Sequence, residues 1–96
     1  MSDNKKTLEE MREQMDTIDR DIMASFIKRM ELSARIAEYK KARNLPVLDI
    51  EREKAKLDSI AKNVPDEMAA FTSKLYLTLA DLSRDYQEKL NLKEDK

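Results

Sequence analysis

Residues 7–43 of the chain read TLEEMREQMDTIDRDIMASFIKRMELSARIAEYKKAR, a stretch that contains neither proline nor glycine. Apolar side chains recur along it in steps of three and four residues, which predicts one uninterrupted amphipathic helix. Thr7 and Glu10 have the spacing of a capping box, which predicts that the helix begins there. Its seam consists of Leu8, Met11, Met15, Ile18, Ile22, Ser25, Arg29, Leu32, Ile36 and Tyr39.

Two further helices are predicted from the only two prolines, Pro46 and Pro65, because proline removes a hydrogen-bond donor and restricts the residue before it. Asp49 is a good N-cap for a second helix that ends before Pro65. A third helix is expected from about Asp66 to Leu90. The apolar stripe of the second helix is Ile50, Leu57, Ile60 and Val64, and that of the third is Met68, Phe71 or Thr72, Leu75, Leu79, Leu82 and Tyr86.

The predicted fold is all-α, with three helices in a single domain over residues 1–96 and flexible tails at residues 1–6 and 91–96. The first helix would be about 55 Å long, whereas a compact chain of this size has a diameter of roughly 30 Å. Part of the helix must therefore extend beyond the rest of its own chain. Because its seam is apolar, we expect a second copy to cover it and form an intertwined helical homodimer.

The composition excludes several classes of function. Without cysteine or histidine, the chain lacks disulfides, the usual zinc sites and histidine-assisted nucleophiles. Glycine is absent too, which argues against nucleotide-binding loops. The 19 basic and 20 acidic residues are interspersed, unlike the clustered charge of a nucleic-acid-binding protein. No apolar run approaches the roughly 20 residues of a membrane span, and no signal peptide is evident, so a cytoplasmic location is expected.

Charged residues interrupt the apolar seams at two places. Arg29 lies in the first seam between Ile22 and Ile36, and Glu53 is in phase with the apolar stripe of the second helix. One interpretation is that Arg29 and Glu53 pair with each other, or with a neighbour across a dimer, in a buried salt bridge that sets the register. The other is a polar pocket for a small anion. Lys40 favours the pocket, since it lies within about 20° of the same helix face as Arg29 and roughly 16 Å further along the axis.

Other candidate residues have ordinary explanations when each is taken alone. Ser83 and Gln87 are one turn apart on the third helix and could offer adjacent hydrogen-bonding groups, although surface positions are commoner. Asp49, as a helix N-cap, is more often structural than functional. Arg12 lies about 25 Å from Arg29 along the helix, so it could join a site built around Arg29 only from a partner subunit.

Most of the chain, from Leu8 to about Leu90, resembles the all-helical class of chorismate mutases. The motif Pro-Val-x-Asp-x-x-Arg-Glu after the long helix is the most specific part of the resemblance. The matching segments are Met11-Arg12, Ile18-Asp19, Lys28-Arg29-Met30-Glu31-Leu32, Glu38-Tyr39-Lys40, Pro46-Val47-Leu48-Asp49-Ile50-Glu51-Arg52-Glu53, and Ser83 through Gln87.

The resemblance implies an isomerase that converts chorismate to prephenate by a [3,3] rearrangement, on the route to phenylalanine and tyrosine. The reaction is unimolecular, so no metal or other cofactor is expected. By resemblance, Arg29 and Arg12 of the partner subunit bind the two substrate carboxylates. Lys40 and Gln87 donate to the ether oxygen, where charge develops.

The resemblance also implies that Glu53, helped by Asp49, binds the ring hydroxyl, and that Arg52 and Ser83 support the pocket wall. Two alternatives remain at this point. A lyase that removes pyruvate from isochorismate shares the fold and several cationic positions. A dimeric coiled-coil adaptor without catalytic activity would explain the heptads equally well, but not the charges in the seams.

Overall fold

The computed structural model describes residues 7–94, and within that range it contains helices and no strand. The prediction of an all-α fold with three helices is confirmed. The capping box at the start of the first helix is also present: Thr7 Oγ1 accepts from the Glu10 N–H at 3.1 Å, and Glu10 Oε1 accepts from the Thr7 N–H at 3.1 Å. The elements are α1 (Leu8–Ala42), α2 (Ile50–Lys62), a 3₁₀ turn (Asp66–Met68) and α3 (Ala69–Glu94).

The end of α3 differs from the sequence-based prediction. The helix continues to Glu94, whereas we expected it to end near Leu90 and to be followed by a tail. Residues 91–94 are Asn-Leu-Lys-Glu, with neither proline nor glycine to stop the helix, and three of the four are good helix formers. The helix therefore continues past its apolar stripe. Residues 1–6 and 95–96 lie outside the described part of the chain.

A left-handed residue ends α1. Asn44 has a φ of 56°, and its N–H donates to the Lys41 carbonyl at 3.3 Å while the Leu45 N–H donates to the Lys40 carbonyl at 2.8 Å. These two bonds form a Schellman motif, in which glycine is the usual left-handed residue. Asparagine is the best substitute available to a chain without glycine, since it tolerates this region better than other residues do.

The small core lies where α3 packs on the C-terminal half of α1. Its buried residues are Ser33 and Ala37 on α1 and Ala80, Ser83 and Gln87 on α3. Small side chains at a helix contact allow the two axes to come close together. The face of α3 that this contact buries is small and polar, and it differs from the apolar stripe that the sequence pattern marks. Several of the stripe residues stay exposed, among them Met68, Phe71, Leu75 and Leu82.

The N-terminal half of α1 extends away from the other helices, as predicted from its length. Every residue from Thr7 to Ser25 is exposed, and the radius of gyration is 18.1 Å, compared with about 12 Å for a compact chain of this size. The seam residues in this half keep between 48% and 57% of their surface accessible; they are Leu8, Met11, Met15, Ile18 and Ile22. None of the helices in residues 7–94 combines the length and apolarity needed to cross a bilayer.

The Schellman motif predicts how substitutions at Asn44 affect stability. Asn44→Ala should lower the free energy of unfolding by about 1 kcal/mol, because a Cβ without a polar side chain disfavours the left-handed region. Asn44→Gly, the matched control, should be at least as stable as the natural protein. Urea unfolding at one fixed protein concentration measures both. Equal stability of the alanine and glycine variants would contradict this account of the turn.

Candidate functional site

A pocket of about 280 Å³ lies between the C-terminal half of α1, the start of α2 and α3. This volume is near the lower end of the range for ligand pockets, so the pocket suits a small molecule. Seven of the eight predicted site residues line it: Arg29, Lys40, Asp49, Arg52, Glu53, Ser83 and Gln87. The remaining lining residues are Leu32, Ser33, Ile36, Val47, Lys56, Tyr76, Ala80 and Arg84.

Positive charge dominates the pocket. Five of its lining residues are cationic, namely Arg29, Lys40, Arg52, Lys56 and Arg84, and only Asp49 and Glu53 are acidic. Two acidic groups against five cationic ones leave a formal excess of three positive charges in the lining. A partly enclosed pocket of one sign concentrates the field and attracts ligands of the opposite sign. The pocket is therefore suited to a small molecule with more than one negative charge.

Helix α3 holds Arg29 in place. One terminal nitrogen of its guanidinium, Nη1, donates to the Leu79 carbonyl at 3.1 Å and also to Ser83 Oγ. Ser33 Oγ donates to the same Ser83 hydroxyl at 2.9 Å. Because a guanidinium carries five N–H donors in a rigid plane, this anchoring leaves Nε and Nη2 as donors for an anion. Within the described chain Arg29 does not pair with Glu53, so the interpretation of these two as a mutual salt bridge is wrong.

Lys40 is held by the loop between α1 and α2. Its Nζ donates to the Val47 carbonyl at 2.9 Å, and Val47 lies at a bend directly after Pro46, whose ring fixes the backbone φ there. An ammonium group has three donors, so two remain after the bond to Val47. Lys40 is half-buried and lines the same pocket as Arg29, roughly 16 Å further along the axis of α1. The loop thus directs a cation with spare donors into the pocket.

The two acidic residues occupy different environments. Asp49 is exposed at the rim, where it caps α2 by accepting from the Arg52 N–H at 3.0 Å. Glu53 is half-buried, and its Oε2 accepts from Arg84, which also pairs with Asp81. Arg52 is exposed at the same rim as Asp49. Glu53 is therefore the carboxylate best placed to meet a ligand inside the pocket.

Gln87 and Ser83 lie at the buried floor of the pocket, with 6% and 8% of their surface accessible. The alternative that they are surface polar residues is wrong. Gln87 Oε1 is buried and has no hydrogen-bond partner in the described part of the chain. A buried amide oxygen without a donor is destabilising. The oxygen and nitrogen of the amide exchange places when the side chain flips, so in either orientation this end of Gln87 offers a ligand an unsatisfied polar atom.

Arg12 lies far from this pocket within its own chain. It is exposed on the N-terminal half of α1, about 25 Å along the helix from Arg29. A second, apolar groove of about 320 Å³ lies between these two arginines, and Arg29 borders it. The other residues that line the groove are Ile18, Asp21, Ile22, Ser25, Phe26, Leu75 and Leu79.

The chain matches a known protein family. The model of the family described as chorismate mutase type II matches residues 11–88. The chain belongs to this family. The matched span includes all eight predicted site residues and most of the three helices. No curated protein and no solved structure gives a significant match.

In this type II chorismate mutase domain, the sequence interpretation missed three groups that support the site. They are the Ser33 hydroxyl, the Val47 carbonyl and the Arg84 guanidinium. Ser33 could have been found from helical phase, because it lies one turn after Arg29 on the same face of α1. The Val47 carbonyl has no signal in the sequence. Arg84 lies between Ser83 and Gln87 in the chain, yet nothing local distinguishes it from an exposed arginine.

The hydroxyl pair beneath Arg29 predicts a measurable contribution to stability. Ser33→Ala should lower the free energy of unfolding by about 1 kcal/mol, because it removes a buried hydrogen bond. Ser59→Ala is the matched control, since Ser59 is exposed on α2 and should gain a few tenths of a kcal/mol from the better helix former. Chemical denaturation of both variants gives the comparison. If the free energy of unfolding changed by the same sign and size in both variants, the buried hydrogen bond would contribute nothing to stability.

Proposed function

We propose that the protein catalyses the [3,3] rearrangement of chorismate to prephenate. The observation that carries the proposal is the small pocket with an excess of positive charge, built within a type II chorismate mutase domain. Chorismate is a dicarboxylate, so its charge complements the lining. In the reaction one C–C bond forms as the ether C–O bond breaks, and no proton or group is transferred. The chain therefore needs only to hold the folded substrate and to stabilise developing charge.

In this proposal two arginines bind the substrate carboxylates. Arg29 offers Nε and Nη2 from a guanidinium that α3 already holds in place. A planar fork of this kind suits bidentate contact with a carboxylate. Arg12 of the partner subunit binds the other carboxylate. Fixing both ends of the molecule favours the compact, chair-like conformer, in which the reacting carbon atoms are close together.

Lys40 and Gln87 act on the ether oxygen, where negative charge grows as the C–O bond lengthens. Lys40 keeps two donors beyond its bond to Val47, and the Gln87 amide at the floor of the pocket donates when its N–H₂ group rather than Oε1 faces the ligand. Donors already fixed in place stabilise the transition state more than the ground state. Neither group has to gain or lose a proton during the reaction.

The remaining predicted residues complete the pocket in this proposal. Glu53 accepts from the ring hydroxyl through its half-buried carboxylate, with Asp49 nearby at the rim. Arg52 also lies at the rim, where it adds positive charge at the entrance. Ser83 supports the wall, because its hydroxyl accepts from Arg29.

The uncovered surface of α1 supports a homodimer. The apolar groove between Arg12 and Arg29 is bordered by residues from α1 and α3, and the seam beside it is exposed. If two copies of α1 pack antiparallel about a two-fold axis near Met23, Arg12 of each chain lies beside the segment between Arg29 and Lys40 of the other. In such a dimer the partner subunit would also cover the groove. The dimer we propose is therefore intertwined, and each site takes Arg12 from the partner subunit.

An assay of chorismate consumption tests the proposed reaction. The purified protein should convert chorismate to prephenate, and Lys40→Met should lower kcat on the order of 100- to 1000-fold, since it removes a charged donor aimed at the transition state. Lys62→Met, which removes an exposed cation at the end of α2, serves as the control and should keep the natural rate.

The same preparation distinguishes the competing functions. Release of pyruvate from isochorismate, without prephenate formation from chorismate, would identify a lyase. Inactivity of a folded dimer on both substrates would favour the adaptor and refute the proposed activity.

The shared site predicts complementation between two inactive variants. Arg12→Ala and Arg29→Ala chains should each be inactive alone. After unfolding and refolding as an equal mixture, they should recover roughly a quarter of the natural rate, because half of the dimers are mixed and one of the two sites in each is intact. Each variant refolded alone is the control. Mixed dimers that form, as seen by mass, but stay inactive would exclude a site that takes Arg12 from the partner.

A further inference from the structure

Arg84 bridges α2 and α3 at the edge of the pocket. One end of its guanidinium donates to Glu53 Oε2 on α2, and the other donates to Asp81 Oδ1 three residues earlier on α3. The side chains of Arg84 and Glu53 are 25% and 23% exposed, whereas that of Asp81 is 66% exposed. The pair with Glu53 is therefore shielded from solvent, and the pair with Asp81 lies largely in water.

Glu53 would repel an anionic ligand, and the positive charge of Arg84 offsets this repulsion. Glu53 is the half-buried carboxylate of a pocket whose proposed ligand carries two carboxylates, and like charges in a partly buried site repel each other strongly. Arg84 places a positive charge directly on Glu53 Oε2. That contact offsets the repulsion and leaves Oε1 free to accept a hydrogen bond from inside the pocket.

The same contact fixes the direction of the Glu53 side chain. A glutamate has three rotatable bonds, so without a partner its carboxylate would sample several directions. Arg84 is itself fixed, because the two nitrogen atoms at the ends of its fork are bonded to carboxylates on two helices. These bonds hold Glu53 Oε2 at the junction of α2 and α3, so Oε1 is the oxygen that remains for the ligand.

We propose that Arg84 is a positioning residue that acts through Glu53: it neutralises and orients this carboxylate so that Glu53 can bind a neutral hydroxyl of an anionic substrate. The proposal rests on the function proposed above. It differs from direct binding of a substrate carboxylate by Arg84, which also lines the pocket. Direct binding would require an anion to share this guanidinium with Glu53 and Asp81.

A double-mutant cycle in kcat/KM separates the two roles. Arg84→Met alone should lower kcat/KM on the order of 10- to 100-fold, the range for loss of a hydrogen bond to a charged group. In a Glu53→Ala background, Arg84→Met should lower kcat/KM by less than about 3-fold, because the group through which Arg84 acts is gone. Arg84→Lys should recover part of the loss, since one ammonium can still reach Glu53.

Controls separate this role from a loss of folding or of net charge. Lys89→Met removes an exposed cation from α3 and should leave kcat/KM unchanged. A merely structural contribution of Arg84 would lower kcat/KM by the same factor in both backgrounds. Unfolding midpoints of every variant show whether each is folded under the assay conditions.

Two results would overturn the proposal. In the first, Arg84→Met keeps the natural kcat/KM. In the second, the loss of kcat/KM in the double variant equals the product of the losses in the two single variants. Multiplied losses would assign Arg84 an independent role. Failure of the proposed function is distinguishable from both, because the natural protein would then form no prephenate in the same assay.

Discussion

The close contact between the C-terminal half of α1 and α3 is the interaction on which the rest of the structure depends. Small side chains, Ala37 on α1 and Ala80 on α3, are buried there together with Ser33 and Ser83. The same contact anchors Arg29 against α3 and buries Gln87. A bulkier residue at Ala37 or Ala80 would push the helices apart and widen the pocket as well as weaken the core. Folding and pocket width are thus set by one contact.

Local patterns were sufficient to predict the elements, because the signals for helix starts are themselves local. Thr7 and Asp49 form the caps that the sequence indicated, and the length of α1 follows from the absence of a breaker. The end of α3 was missed because the chain carries no stop signal there. The buried face of α3 was also missed. Periodicity shows which residues share a face, but it does not show which neighbour covers that face.

The site was predictable where a charge broke an apolar pattern. Arg29 and Glu53 were conspicuous for that reason, and helical phase then connected Arg29 to Lys40. Arg84 was not predictable, because an arginine on a polar helix face looks solvent-exposed until the fold brings a carboxylate from 31 residues away. Long-range contacts of this kind depend on helix packing, whereas the bond between Lys40 and the Val47 carbonyl depends on the conformation of the loop that follows α1.

The glycine-free turn at the end of α1 has a consequence for the unfolded chain. A protein of this length would on average contain about seven glycines, and each adds backbone freedom that folding must remove. Here every residue carries a Cβ, so the denatured ensemble samples fewer backbone conformations and loses less entropy on folding. Asn44 is the one residue within 7–94 that takes the left-handed conformation. Because the core is so small, the smaller entropy loss of this stiffer backbone contributes to the stability of the fold.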